Sequence, residues 1–187
     1  MEELATKYHA KQFRNKDERI PYTEHTFGVA SILTSAFEVT KECDDPSLIE
    51  DMKNAGIGHD LIEDTEVTEE EIVAASNERT LGYIRELSNP VDDAHTDEYM
   101  EQLRNATEEA RLVKYCDLIE NTTSVCYALL VLGMDWANNF YLPILTRSTA
   151  VLAETSFEHY PKTAEFLRGM LLVSSNLLEV RMKNFKG

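Results

Sequence analysis

His59 and Asp60 are neighbours within the apolar stretch AGIGHDLIEDT at 55–65. Successive helical residues point about 100° apart. One metal ion is therefore within reach of both only at a helix end, or with ligands from other elements. His25 and Asp117 can supply those ligands. Two imidazoles and two carboxylates make a mixed nitrogen and oxygen set, which suits Mn²⁺, Fe²⁺ or Zn²⁺ better than Ca²⁺. Glu63 is four residues after His59, and Asp64 four after Asp60. A helix continuing through them places both carboxylates on the metal-facing side. There a metal lowers the pKa of bound water, and a nearby carboxylate orients or deprotonates it. Asp117, Asn121 and Ser124 form a polar stripe at helical spacing, and an amide and a hydroxyl beyond a ligand suit a sugar or a base.

Each of these residues taken singly has a structural alternative. These are a hydrogen-bonded core histidine, a buried carboxylate, an acidic helix end running into Glu66, and a hydrated helix face. The combination weighs more, because a charged pair inside an apolar helix is costly unless it is paired or metal-bound.

The elements that must position these residues read as helices. Seven glycines and five prolines in 187 residues are few, and strand alternation with hairpin turns is absent. Val29, Ile32, Leu33, Ala36 and Phe37 make an apolar stripe at helical spacing. Thr68 and Glu71 form a capping box that predicts a short helix from about Glu69. Asn105 and Glu108 read as a second box opening a long helix, with Leu112, Cys116, Ile119, Thr123, Cys126 and Leu130 on one face. Pro161 begins a last helix with Phe166, Met170, Val173 and Leu177 inward. The expectation is one all-α domain over 1–187, of about eight helices.

Charge narrows the function classes. With 18 Lys+Arg against 34 Asp+Glu, the net charge is −16. That argues against a nucleic-acid scaffold and against docking on anionic lipid. The balance is uneven: residues 7–19 carry +3 and residues 38–71 carry −11. The longest apolar run, 125–134, is half of the roughly 20 residues a bilayer span needs. Cys43, Cys116 and Cys126 make no disulfide framework, and the N-terminal residues lack a signal-peptide core. Cytoplasmic residence is the expectation.

Four segments occur together: RNKDERIPYTEH at 14–25, GVASIL at 28–33, GHDLIEDT at 58–65 and LVKYCDLIEN at 112–121. In this order they resemble the HD-domain metal-dependent phosphohydrolases. Within that group they resemble the (p)ppGpp hydrolases: the hydrolase domain of RelA/SpoT proteins and the stand-alone small alarmone hydrolases. The resemblance covers residues 5–125. It implies an all-α HD fold with a metal, typically Mn²⁺, on His25, His59, Asp60 and Asp117. It implies that Glu63 and Asp64 activate water and that Arg14 contacts substrate, with Lys16 beside it. Asn121 and Ser124 fall in the nucleotide pocket, and residues 126–187 are expected to complete it. The implied reaction removes the 3′-pyrophosphate of ppGpp or pppGpp, giving GDP or GTP and pyrophosphate. Some small members act as antitoxins against alarmone-making synthetases. The chain departs from the pattern at Asn15, Thr26, Cys116, Leu118 and Thr123.

Two other readings stay open. One is an HD phosphohydrolase acting on a nucleoside monophosphate or a 3′-phosphorylated adenosine species, motivated by Asn15, Leu118 and Thr123. The other is a catalytically silent binding or antitoxin module that uses the acidic surface. The sequence leaves the oligomeric state undecided.

Overall fold

The structure is a computed structural model that describes residues 1–89 and 96–185. Helix α1 (Glu2–Tyr8) leads into a loop closed by an antiparallel bridge between Phe13 and Pro21, which encloses a 3₁₀ turn, Arg14–Lys16. Helices α2 (Thr23–Thr40), α3 (Pro46–Gly58), α4 (Leu61–Asp64), α5 (Glu69–Ala75) and α6 (Glu78–Leu87) follow. After α7 (Asp97–Asn105) comes the longest helix, α8 (Glu108–Leu132). A single turn, α9 (Met134–Trp136), runs through a π-helical turn, Ala137–Tyr141, into α10 (Leu142–Glu154), and α11 (Pro161–Lys183) ends the described chain. Nine of these helices have seven residues or more, against about eight expected, and no strand occurs among the described residues.

Local chemistry sets the helix starts. Asp45 accepts from the backbone N–H groups of Ser47 and Leu48, with Pro46 in the first turn of α3. Thr68 and Glu71 form the expected capping box of α5. The second box is not formed. Asn105 ends α7 and donates to the Glu101 carbonyl at 2.9 Å, while Thr107 caps α8. The reason is Ala106, whose extended backbone (ψ 158°) separates the two helices. Glu108 is thereby free to accept from the backbone of Glu158, His159 and Tyr160, which ties the start of α8 to the loop before α11.

Helix α8 is the centre of the molecule and packs against α2, α3, α6 and α11. Leu112, Cys116, Ile119 and Cys126 are buried as expected, but Thr123 is half-buried and Leu130 is 72% exposed. On α2 the stripe of Val29, Leu33, Ala36 and Phe37 is buried. The expected inner face of α11 is off by one position. Leu167, Leu171 and Leu178 are buried, whereas Val173 is 68% and Leu177 42% exposed, and Phe166 and Met170 are half-buried. Both apolar series run at helical spacing in the sequence, and the seat on α8 selects between them. The three cysteines are unpaired. No helix among the described residues is long and apolar enough to cross a membrane.

This register has a direct test in urea denaturation. Leu167→Ala should cost about 2–5 kcal/mol, the usual range for a buried leucine truncation. Val173→Ala should stay within about 0.5 kcal/mol, as surface changes do. Equal losses would contradict the assignment of the buried face.

Candidate metal centre and nucleotide cleft

Three helices deliver the four candidate ligands. His25 lies in the first turn of α2, His59 follows the last residue of α3, Asp60 precedes α4, and Asp117 sits midway along α8. Because His59 and Asp60 occupy the junction between two helices, their side chains converge where one straight helix would splay them. His25, His59 and Asp60 each offer a ligand atom within 4.8 Å of the others'. The His25 and His59 Nε2 atoms are 3.2 Å apart. Asp60 Oδ2 lies 3.5 and 3.1 Å from them, and Asp117 Oδ1 3.4 and 3.6 Å. Bonds of about 2.1 Å to a tetrahedral ion space the ligand atoms about 3.4 Å apart. His25, His59 and Asp60 therefore fit one divalent transition-metal ion, with Asp117 standing beside the two imidazoles.

The ring orientations fit as well. His59 Nδ1 donates to the Gly56 carbonyl at 2.9 Å, which leaves Nε2 to face the cluster. His25 Nδ1 faces the Glu120 carboxylate, again directing Nε2 inward. The two aspartates are also held. Asp60 Oδ2 accepts from the Tyr22 hydroxyl at 2.6 Å. Asp117 accepts from Lys114 Nζ at 2.8 Å and from Asn121 Nδ2 at 2.5 Å.

Electrostatics follow from this crowding. Burial alone would raise the pKa of Asp60, yet the neighbouring His59 holds it well below the carboxylate range. Burial acts the same way on Asp117, and Lys114 overcomes it. Burial opposes protonation of His25, but Asp117, Asp60 and Glu120 outweigh it and push the pKa up to about 9. His59 is raised for similar reasons, Asp60 being the foremost. Glu63 and Asp64 move the other way from the ligand carboxylates. Desolvation raises both, and the charge of Asp60 adds to it.

A cleft of about 480 Å³ opens beside the cluster. Its polar lining includes Arg14, Lys16, His25, Asp60, Asp117 and Asn121, and Phe13, Trp136, Phe140 and Tyr141 supply an aromatic lining. The Trp136 and Tyr141 rings are stacked at 6.0 Å, with Phe140 tilted against Trp136 at 5.4 Å. The turn that carries them lies in the region for which the sequence offered no motif.

No protein-family profile and no curated protein matches the sequence. Among solved structures, the chain is similar to a metazoan ortholog of SpoT, a protein that hydrolyses ppGpp and plays a role in starvation responses. The two superpose with a TM-score of 0.65 over 94% of this chain and 93% of that one, at 20% identity. The fold is the all-α fold of that neighbour. Likeness at this identity carries architecture, and the chemistry lies in the residues that the fold presents.

Those residues are not all where the sequence pattern places them. Arg14, Lys16 and Asn121 line the cleft, but Ser124 accepts from Asn15 Nδ2 at 2.9 Å and anchors the loop instead. Asn15 and Lys16 are both left-handed (φ 56° and 60°), a conformation that costs non-glycine residues energy and that this fixed loop imposes. Glu63 and Asp64 lie outside the cleft lining. Glu63 accepts from the Asn89 backbone N–H at 2.7 Å, and the Asp64 carbonyl accepts from Gln12 at 2.8 Å. Of the basic strip at 7–19, Lys7 pairs with Glu71 and Arg19 with Asp17, so Arg14 and Lys16 are the members that reach the cleft. Three contributors escaped the sequence reading: Lys114, Tyr22 and Glu120. Lys114 was legible as a cation one helical turn before Asp117, whereas Tyr22 and Glu120 depend on contacts between distant segments.

The raised histidines make a pH prediction for the metal-free chain. A group whose pKa rises from 6.5 unfolded to about 9 folded stabilises the fold fully below the lower value. That stabilisation is lost as pH climbs through the higher one. The Tm of chelator-treated protein should therefore fall between pH 6.5 and 9.5, and a His25→Gln variant should show a flatter profile. A wild-type Tm that rises across this window would contradict it.

Proposed function

We propose that the chain is a divalent-metal-dependent phosphohydrolase that removes the 3′-pyrophosphate of guanosine polyphosphates. The observation that carries this reading is the His/Asp cluster at a cleft lined by Arg14, Lys16 and Lys114 and also by Trp136, Phe140 and Tyr141. Such a cleft suits a ligand that carries both phosphates and a base. His25, His59, Asp60 and Asp117 would hold the ion, with Mn²⁺ the favoured choice for a mixed donor set. When bound, the ion supplies Lewis acidity and lowers the pKa of water toward neutrality.

The protein's own residues do the remainder. Arg14 and Lys16 neutralise phosphate charge, as preorganised cations do in phosphoryl transfer. Asn121, in the cleft lining, holds Asp117 through its amide nitrogen and Arg14 through its amide oxygen. Trp136 and Phe140 offer ring faces to the base. Glu63 and Asp64, four residues after His59 and Asp60, would orient and deprotonate the water. The water oxygen bonds to the phosphorus that carries the 3′-oxygen, and that phosphorus–oxygen bond breaks. One water proton passes to a carboxylate and the 3′-oxygen gains a proton, leaving pyrophosphate and the 5′-diphosphate or 5′-triphosphate. Carboxylates with raised pKa values are the right groups for this transfer near neutral pH.

A second reading, an HD phosphohydrolase for another nucleotide, draws support from Asn15. Its amide is committed to Ser124 and adds no charge to the phosphate end.

The test is Mn²⁺-dependent turnover across guanosine and adenosine 3′,5′-polyphosphates and nucleoside monophosphates, with products assigned by phosphorus NMR. ppGpp should yield GDP and pyrophosphate. Glu63→Ala should lower kcat by about 10²–10⁴, the range for a lost general base, and Arg14→Ala should mainly raise KM. Intact ppGpp beside hydrolysis of another nucleotide would replace this reading with the second one.

A further inference from the structure

Resting on the reading of His25, His59, Asp60 and Asp117 as a metal centre, the geometry points to Glu120 as its positioning residue. We propose that this one carboxylate fixes the His25 ring as a ligand and ties the same ring to Arg14 at the cleft. Glu120 Oε2 accepts from His25 Nδ1 and, at 2.7 Å, from Arg14 Nη2. His25 is 1% exposed, and the Glu120 and Arg14 side chains 19% and 13%, so water competes little for these bonds.

The backbone is shaped for the contact. Glu120 stands three residues after Asp117, so α8 delivers one ligand and the holder of another. Gly28 stands three residues after His25 on α2, and a Cβ there would lie 3.0 Å from Glu120 Cγ. Helix α2 thus carries no side chain where Glu120 crosses it.

The two histidines are held unequally. His59 leans on a neutral backbone carbonyl, whereas His25 leans on a charged carboxylate. An outer carboxylate both orients an imidazole ligand and increases its basicity. Arg14 is linked to the cluster a second time, since its Nη2 reaches Asn121 Oδ1 at 2.8 Å and Asn121 in turn holds Asp117. The phosphate-facing cation and the ligand geometry are therefore not independent. A purely structural ion pair joining the loop to α8 would need Arg14 and Glu120 but not the His25 bond or the bare backbone at Gly28.

Glu120→Gln preserves size and removes the charge, and Gly28→Ala preserves every charged group while displacing Glu120. Mn²⁺ titration calorimetry should show about ten- to hundredfold weaker binding for Glu120→Gln, the range for lost outer partners. Gly28→Ala should shift affinity in the same direction by less. In the Zn²⁺-loaded, ¹⁵N-histidine-labelled protein, the His25 Nδ1 proton should be strongly downfield in wild type and move upfield in Glu120→Gln. Both variants within twofold of wild type, with the Nδ1 proton unmoved, would overturn the proposal for Glu120 alone. Wild-type protein that takes up neither ion would overturn the metal centre and this proposal together.

Discussion

Two imidazoles and Asp117, buried where three helices meet, and the half-buried Asp60 beside them are tolerable only as a set. Removing a carboxylate from water costs several kcal/mol, and a partner must offset it (roughly, for an ion in a protein interior). Here Asp60 is offset by the imidazoles and Tyr22, and Asp117 by the imidazoles, Lys114 and Asn121. No member can be displaced without leaving another unpaired. The relative placement of α2, α3 and α8 is in that sense fixed by charge as well as by apolar packing.

The scaffold answers that demand with one long central helix and a broken one. α8 is buried around its middle by α2, α3, α6 and α11, which holds Asp117 away from bulk water. The junction between α3 and α4 does the opposite work. It interrupts a helix so that two adjacent residues face one point, and it continues far enough for Asp64 N–H to reach the Asp60 carbonyl at 2.9 Å. Gln12 then secures the far end through the Asp64 carbonyl. The loop that carries Arg14 is thereby tied both to α4 and, through Asn15 and Arg14, to α8.

What the sequence disclosed follows the range of each interaction. The cluster was legible because ligand chemistry restricts residue type: the His59–Asp60 pair and Asp117 lie in apolar stretches, where a charged group needs a partner. The capping box at Thr68 was legible because it is local. The false box at Asn105 failed because Thr107, two residues on, is itself a good N-cap residue, and the extended Ala106 decides between them even though Ala110 completes no box with Thr107. The α11 face failed because two apolar stripes one residue apart are equivalent until α8 is present. The aromatic shelf was invisible, since Trp136, Phe140 and Tyr141 converge through a π-helical turn whose spacing no regular period marks.

Net charge misleads about the cleft until it is counted locally. Among its lining residues, Asp60 and Asp117 face Arg14, Lys16 and Lys114, which leaves one positive charge even with the histidines neutral. A polyphosphate approaching that lining meets attraction. A bound dication would add to it, because bound cations dominate the local field of such sites. The acidic composition thus does not oppose a polyanionic ligand at the cleft. Arg14, whose guanidinium is already shared between Glu120 and Asn121, stands where a bound ion would change the local charge.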